Sequence, residues 1–207
     1  MTIIADATPR FTLCLPHTLA QECPCPGDWA NLKNFSDDAH DPGGKTMCGI
    51  IQREYDAWRK RRGEPVRDVR RLEQAEGEEI YLTSYWNPEC PKLPVGLDMQ
   101  FFDEAVNTGA GEATKVLQHV LNSALSLNLA VDGEWGAASE NALAEFMTCA
   151  AQDPAILPGI VETFTERRHD VYKMMLGDKY FDHAWMTRTA EIGAAALAMA
   201  KAVGGAP

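Results

Sequence analysis

Apolar residues recur at helical spacing along nearly the whole chain, and only the stretch from Phe35 to Ile50 offers strand-forming material. Phe11, Cys14, Leu15 and Leu19 share one helix face, with Thr8-Pro9 as N-cap and first helical residue and Glu22 as the helix end. Pro16 lies inside that helix and removes one of its backbone hydrogen bonds. Gln52 to Arg62 reads as a second helix carrying Tyr55 and Trp58, stopped by Gly63-Glu64-Pro65. Asp68 is placed to cap a third, with Val69, Leu72, Ala75, Ile80 and Leu82 inward and Gly77 interrupting it. In the second half, Val116, Leu117, Val120, Leu121 and Ala124 form another stripe; further helices are expected over 138–149, from Asp153-Pro154 to Gly177, and from Lys179 onward. The pattern predicts a mainly α fold with at most a small β-hairpin.

The chain has 207 residues, enough for one substantial core or two small ones. Its formal net charge of −11 argues against nucleic acid as a partner, because neutralising phosphates requires a basic excess or stripe. The one basic cluster, Arg59-Lys60-Arg61-Arg62, falls at a helix C-terminus, where cations meet the negative end of the helix dipole. No segment approaches the ~20 apolar residues of a membrane span. Met1 to Arg10 shows no basic leader followed by an apolar run, so a route out of the cytoplasm other than a Sec-type signal is expected. Six cysteines are too scattered for a zinc ribbon, and Cys23-Pro24-Cys25 is the one close pair. That pair reads either as a metal or redox site or as locally packed thiols. No metal or cofactor is expected, and a monomer is.

Chemistry is concentrated between Gln21 and Ile51. Glu22 ends the first helix, and Asp41-Pro42-Gly43-Gly44 demands a tight turn because proline fixes φ and glycine accepts φ values other residues resist. Such a turn is able to present Asp41 and Thr46 from its two sides toward Glu22. Two carboxylates with a polar helper is the arrangement used to hydrolyse glycosidic bonds.

The run Asp41-Pro42-Gly43-Gly44-x-Thr46-x-x-Gly49-Ile50, preceded by a helix ending in glutamate, resembles glycoside hydrolase family 108, N-acetylmuramidases of lysozyme-like fold. The resemblance continues through Tyr85-Trp86, Leu93-Pro94 and Phe102-Asp103-Glu104-Ala105-Val106-Asn107-Thr108-Gly109. It runs on through Arg168-His169-x-x-Tyr172 and Trp185-x-x-Arg188. Residues 112–207, with Leu117-Gln118 and Asp132-Gly133-x-x-Gly136, resemble the helical peptidoglycan-binding modules that end such enzymes; taken alone, Asp-Gly-x-x-Gly is a turn. The resemblance implies a catalytic domain over 1–111 and a binding module over 112–207, closely packed on the first.

It also implies cleavage of the β-1,4 bond after N-acetylmuramic acid in bacterial peptidoglycan. Glu22 would be the general acid, Asp41 would place water or stabilise the transition state, and Thr46 would help hold the water. Tyr85 and Trp86 either stack on sugar rings or form a core corner. Asp103 and Asn107, spaced i, i+4 on one helix face, either meet glycan or brace a neighbouring helix. The protein would reach the wall through a holin, a secretion apparatus or lysis. In this family the glutamate opens a Glu-Gly-Gly-Tyr sequence, whereas Glu22 is followed by Cys23-Pro24-Cys25-Pro26-Gly27. The rival expectation is therefore a glycan-binding protein that kept the fold without the chemistry.

Overall fold

The structure is a computed structural model, and it describes residues 3–37, 44–86, 88–176 and 183–204. The fold is mainly α, as the periodicity predicts. Among the described residues are the helices α1 (Ile3–Glu22), α2 (Gln52–Arg61), α3 (Gln74–Tyr81), α4 (Leu97–Thr108), α5 (Ala110–Leu125), α6 (Ala137–Gln152), α7 (Ile156–Leu176) and α8 (His183–Gly204). A three-stranded antiparallel sheet of two-residue strands joins β1 (Phe35–Ser36), β2 (Thr46–Met47) and β3 (Ile50–Ile51) in that order. The chain divides into two compact units, Met1–Asn87 and Pro88–Pro207.

In the first unit, α1 begins upstream of Thr8-Pro9 and runs through both Pro9 and Pro16. Asp68 caps only a single 3₁₀ turn, Val69–Arg71, accepting from the Arg70 N–H. The helix proper starts later, at Gln74, through a reciprocal capping box between Glu73 and Glu76. Gly77 does not interrupt α3. It lets the helix approach Trp29, because a Cβ there would stand 2.1 Å from the indole ring. The helix then loosens into a π-helical turn over Leu82–Trp86, which places Tyr85 and Trp86. The Pro-Gly-Gly turn lies outside the described residues except for Gly44, whose φ is +68°.

The tight turn that builds the β2–β3 hairpin is Cys48-Gly49. Met47 pairs with Ile50, and both turn residues have positive φ, +48° and +75°. Positive φ at both central positions is the type I′ requirement and matches the twist of the flanking strands. Met47 and Ile50 are fully buried, so the register turns the apolar side of the hairpin inward.

In the second unit α4 is the central element, buried without a break from Leu97 to Ala105 and in contact with α5, α7 and α8. A helix covered on nearly every side must satisfy its polar residues internally. Asp103 and Glu104 do so through Arg168 of α7 and Arg188 of α8. The Arg168 Nη2 donates to Asp103 at 2.7 Å and its Nε to Glu104 at 2.6 Å, while Arg188 reaches both Asp103 oxygens at 3.0 Å. Tyr172 donates to Glu104, and the Asn107 amide donates to Tyr172 at 2.9 Å. Burial disfavours the charged form of Asp103, but the two guanidinium groups outweigh it and hold its pKa below the usual carboxylate value. Burial first, with Glu104 adding and Arg168 opposing, pushes the Tyr172 phenol up to about 12.

Replacing Asp103 by asparagine keeps the shape and takes from two buried guanidinium groups the carboxylate they share, Arg168 keeping Glu104. Asp103→Asn should lower stability by about 3–5 kcal/mol, read by urea unfolding followed by circular dichroism. A carboxylate whose folded pKa is depressed contributes stability that is whole above the unfolded value of about 4 and is lost as pH falls through the lower folded value. The variant should lack that part of the acid dependence. Wild-type stability in Asp103→Asn would mean that the partners left to the arginines, Glu104 among them, suffice.

Candidate active site in the first unit

Glu22 is the last residue of α1 and is half-buried. The hairpin turn lies directly against it: a Cβ built on Gly49 would stand 2.9 Å from Glu22 Oε2, 3.1 Å from Glu22 Cβ and 2.6 Å from the Tyr81 hydroxyl. Glycine is required here twice over, by the positive φ and by the close approach. Tyr81, fully buried at the end of α3, donates to the Cys48 carbonyl at 2.8 Å and so ties the turn to the helix. Burial, followed by the nearby Glu22, raises the Tyr81 phenol well above its ordinary value.

Beside this contact stands a second carboxylate that the sequence analysis did not single out. Glu54, in the first turn of α2, accepts a hydrogen bond from the Tyr85 hydroxyl at 2.7 Å. The Tyr85 ring is tilted against Tyr81, with centroids 5.7 Å apart. Its phenol is raised by burial first, then by the charge of Glu54, and also by that of Glu22. Tyr85 therefore senses both carboxylates. The signal available in sequence was an acidic residue one turn into the helix that follows the hairpin, which reads equally well as a dipole partner.

The loop after Glu22 is held by a residue that spacing did not mark. Asn34 accepts the Cys25 N–H at 2.8 Å and donates to the carbonyls of Cys25 at 3.0 Å and Asp28 at 2.9 Å. Its own carbonyl accepts the Cys48 N–H at 3.1 Å. One asparagine thus fastens the Cys23–Trp29 loop to the hairpin.

The other expected site residues are distributed as follows. Asp41 lies outside the described residues. Thr46 is half-buried on β2, and its hydroxyl donates to the Gly44 carbonyl at 3.1 Å. Tyr85 is half-buried in the π-helical turn, whereas Trp86 is fully buried against Phe11, with ring centroids 5.7 Å apart. Asp103 and Asn107 belong to the second unit, where Asp103 carries the ion pairs that fasten α7 and α8 to α4. At the open end of the hairpin, where the Gln52 N–H meets the Lys45 carbonyl, a depression of about 690 Å³ is lined by Lys45, Gln52, Arg53, Asp56, Arg67 and Asp68 with Gly44 and Val66.

Residues 30–109 match the family glycosyl hydrolase 108. The matched segment takes in the hairpin, Glu54, Tyr85 and α4, and it begins after Glu22. The chain is also similar in structure to SagA of Brucella abortus, with a TM-score of 0.69 and 25% identity over 94% of this chain and 97% of that one. No curated protein matches. Together, the family 108 segment and the SagA likeness support a glycoside hydrolase.

Gly49→Ala tests the geometry. The added methyl meets Glu22 and Tyr81 in a backbone conformation that alanine resists, so destabilisation by more than about 1 kcal/mol is expected. In thermal unfolding that is a fall of about 2–4 °C or more. An unchanged midpoint would show that the turn has room to spare at Glu22.

Proposed function

We propose that this protein is a peptidoglycan hydrolase of the N-acetylmuramidase type, with Glu22 as its general acid. The observation that carries this reading is the packing of the Glu22 carboxylate against Gly49, the turn of a hairpin inside the segment that matches glycosyl hydrolase 108. Glu22 protonates the glycosidic oxygen as the β-1,4 bond between N-acetylmuramic acid and N-acetylglucosamine breaks. The remaining charge develops on an oxocarbenium-like sugar, which a second carboxylate stabilises directly or by activating water.

Asp41, with Thr46 holding the water, is one candidate for that second carboxylate. Glu54 is the other, favoured by its hydrogen bond from Tyr85 and by the effect of Glu22 on the same phenol. Tyr85, half-buried rather than sealed, is the aromatic suited to meeting a sugar face. The trough at the other end of the hairpin combines apolar surface with the donors and acceptors that glycan hydroxyls need. In this reading residues 1–111 hold the chemistry and the helical module over 112–207 binds the wall. The protein acts as a monomer and reaches the wall after release from the cytoplasm.

The second reading is a glycan-binding protein without hydrolysis. It is favoured by Cys23-Pro24-Cys25-Pro26-Gly27, which stands where the family has Gly-Gly-Tyr.

Glu22→Gln keeps the shape of the side chain and removes the transferable proton, so lysis of purified cell wall should fall by a factor on the order of 10² or more. Tyr85→Phe and Glu54→Gln should each retain the fold. If Glu54 is the second carboxylate, Glu54→Gln loses nearly as much rate as Glu22→Gln. If Asp41 holds that role, the large loss appears in Asp41→Asn instead. Wild-type protein that binds purified wall in a pelleting assay and releases no reducing ends would establish the binding reading.

A further inference from the structure

Two buried thiols that the proposed hydrolysis does not use meet beside the Glu22–Gly49 contact. Cys23 follows Glu22 and Cys48 precedes Gly49, so the close approach of those neighbours brings the cysteines together. The two thiols lie close enough to perturb each other's ionisation, and only 5% of Cys23 and 2% of Cys48 is exposed. Cys48 occupies a turn position with φ +48°, where asparagine, aspartate or glycine is the usual choice. A cysteine there is not what the turn itself selects. Asn34 holds both sides in place, fixing the Cys25 backbone with its amide and the Cys48 N–H with its carbonyl.

The pair is also polarised. The interaction with Cys23 lowers the pKa of Cys48, burial opposing and Asn34 assisting, while the same interaction and burial raise that of Cys23. Whichever sulfur of the pair is ionised, its thiolate is the nucleophile in exchange.

We propose that Cys23 and Cys48 are a disulfide-forming site that staples the end of the Glu22 helix to the hairpin turn when the protein enters an oxidising compartment. The oxidant is a disulfide-bearing thiol compound, such as glutathione disulfide or an oxidoreductase of that class. One thiol of the pair attacks one donor sulfur as its thiolate, and the other donor sulfur leaves as a thiolate. The second thiol of the pair then gives up its proton and attacks the protein sulfur of the mixed disulfide, releasing the second donor sulfur. The two protein thiols lose two electrons and two protons, and the donor disulfide gains both. Because both sulfurs are buried, exchange waits for local opening and proceeds slowly, while the product is shielded from reduction.

The test uses the full chain with Cys149→Ser, which removes the exposed thiol that would cross-link molecules. The protein is equilibrated with reduced and oxidised glutathione, quenched with acid, alkylated under denaturing conditions, digested and mapped by mass spectrometry. The expected result is the loss of two alkylatable thiols, a peptide pair joined through Cys23 and Cys48, and a higher melting temperature. Adding Cys25→Ser leaves that link in place; adding Cys48→Ser abolishes it. All thiols remaining alkylatable in the oxidised buffer, or a link between Cys23 and Cys25 instead, overturns the proposal. Mapping without the added cysteine substitutions decides the matter even if they unfold the protein, and no arm depends on glycan hydrolysis.

Discussion

The candidate site depends on one close approach, that of the Gly49 backbone to the side chain of Glu22. A type I′ turn needs positive φ at both central residues, and only a residue without Cβ leaves room for a carboxylate and a phenol at van der Waals distance. Once the turn is seated, Tyr81 binds its carbonyl, and Asn34 binds its N–H together with the loop that follows Glu22. These hydrogen bonds satisfy backbone groups that would otherwise be buried unpaired, so each contact reinforces the others. The result is a carboxylate whose position is set by three separate parts of the first unit.

The two units bury polar groups for different ends. Around α4, Asp103 and Glu104 are sealed from solvent and matched by Arg168 and Arg188, which fixes helix positions. A charge so fully partnered has little left to offer a ligand, and its removal is costly because the arginines stay behind. Glu22, Glu54 and Tyr85 are only half-buried. Partial burial leaves these side chains within reach of solvent. The same contrast separates Tyr85 from Trp86, adjacent in sequence and opposite in fate.

The sequence by itself determined the mainly α fold, since stripes at helical spacing can be buried only by helices packing on one another, and it placed Glu22 at a helix end beside the one strand-forming stretch. Local chemistry also marked Tyr85 and the polar face of Asp103 and Asn107 as worth explaining. Tertiary structure decided the rest. That Gly77 admits Trp29, that Cys48-Gly49 is the hairpin turn, and that Glu54 faces Tyr85 all depend on which surfaces meet across long stretches of chain. Asp103 shows the limit most clearly. Its i, i+4 partner was legible because helix geometry is local, but the arginines that claim it lie on helices far along the chain, and pairings at that separation are set by packing rather than by spacing.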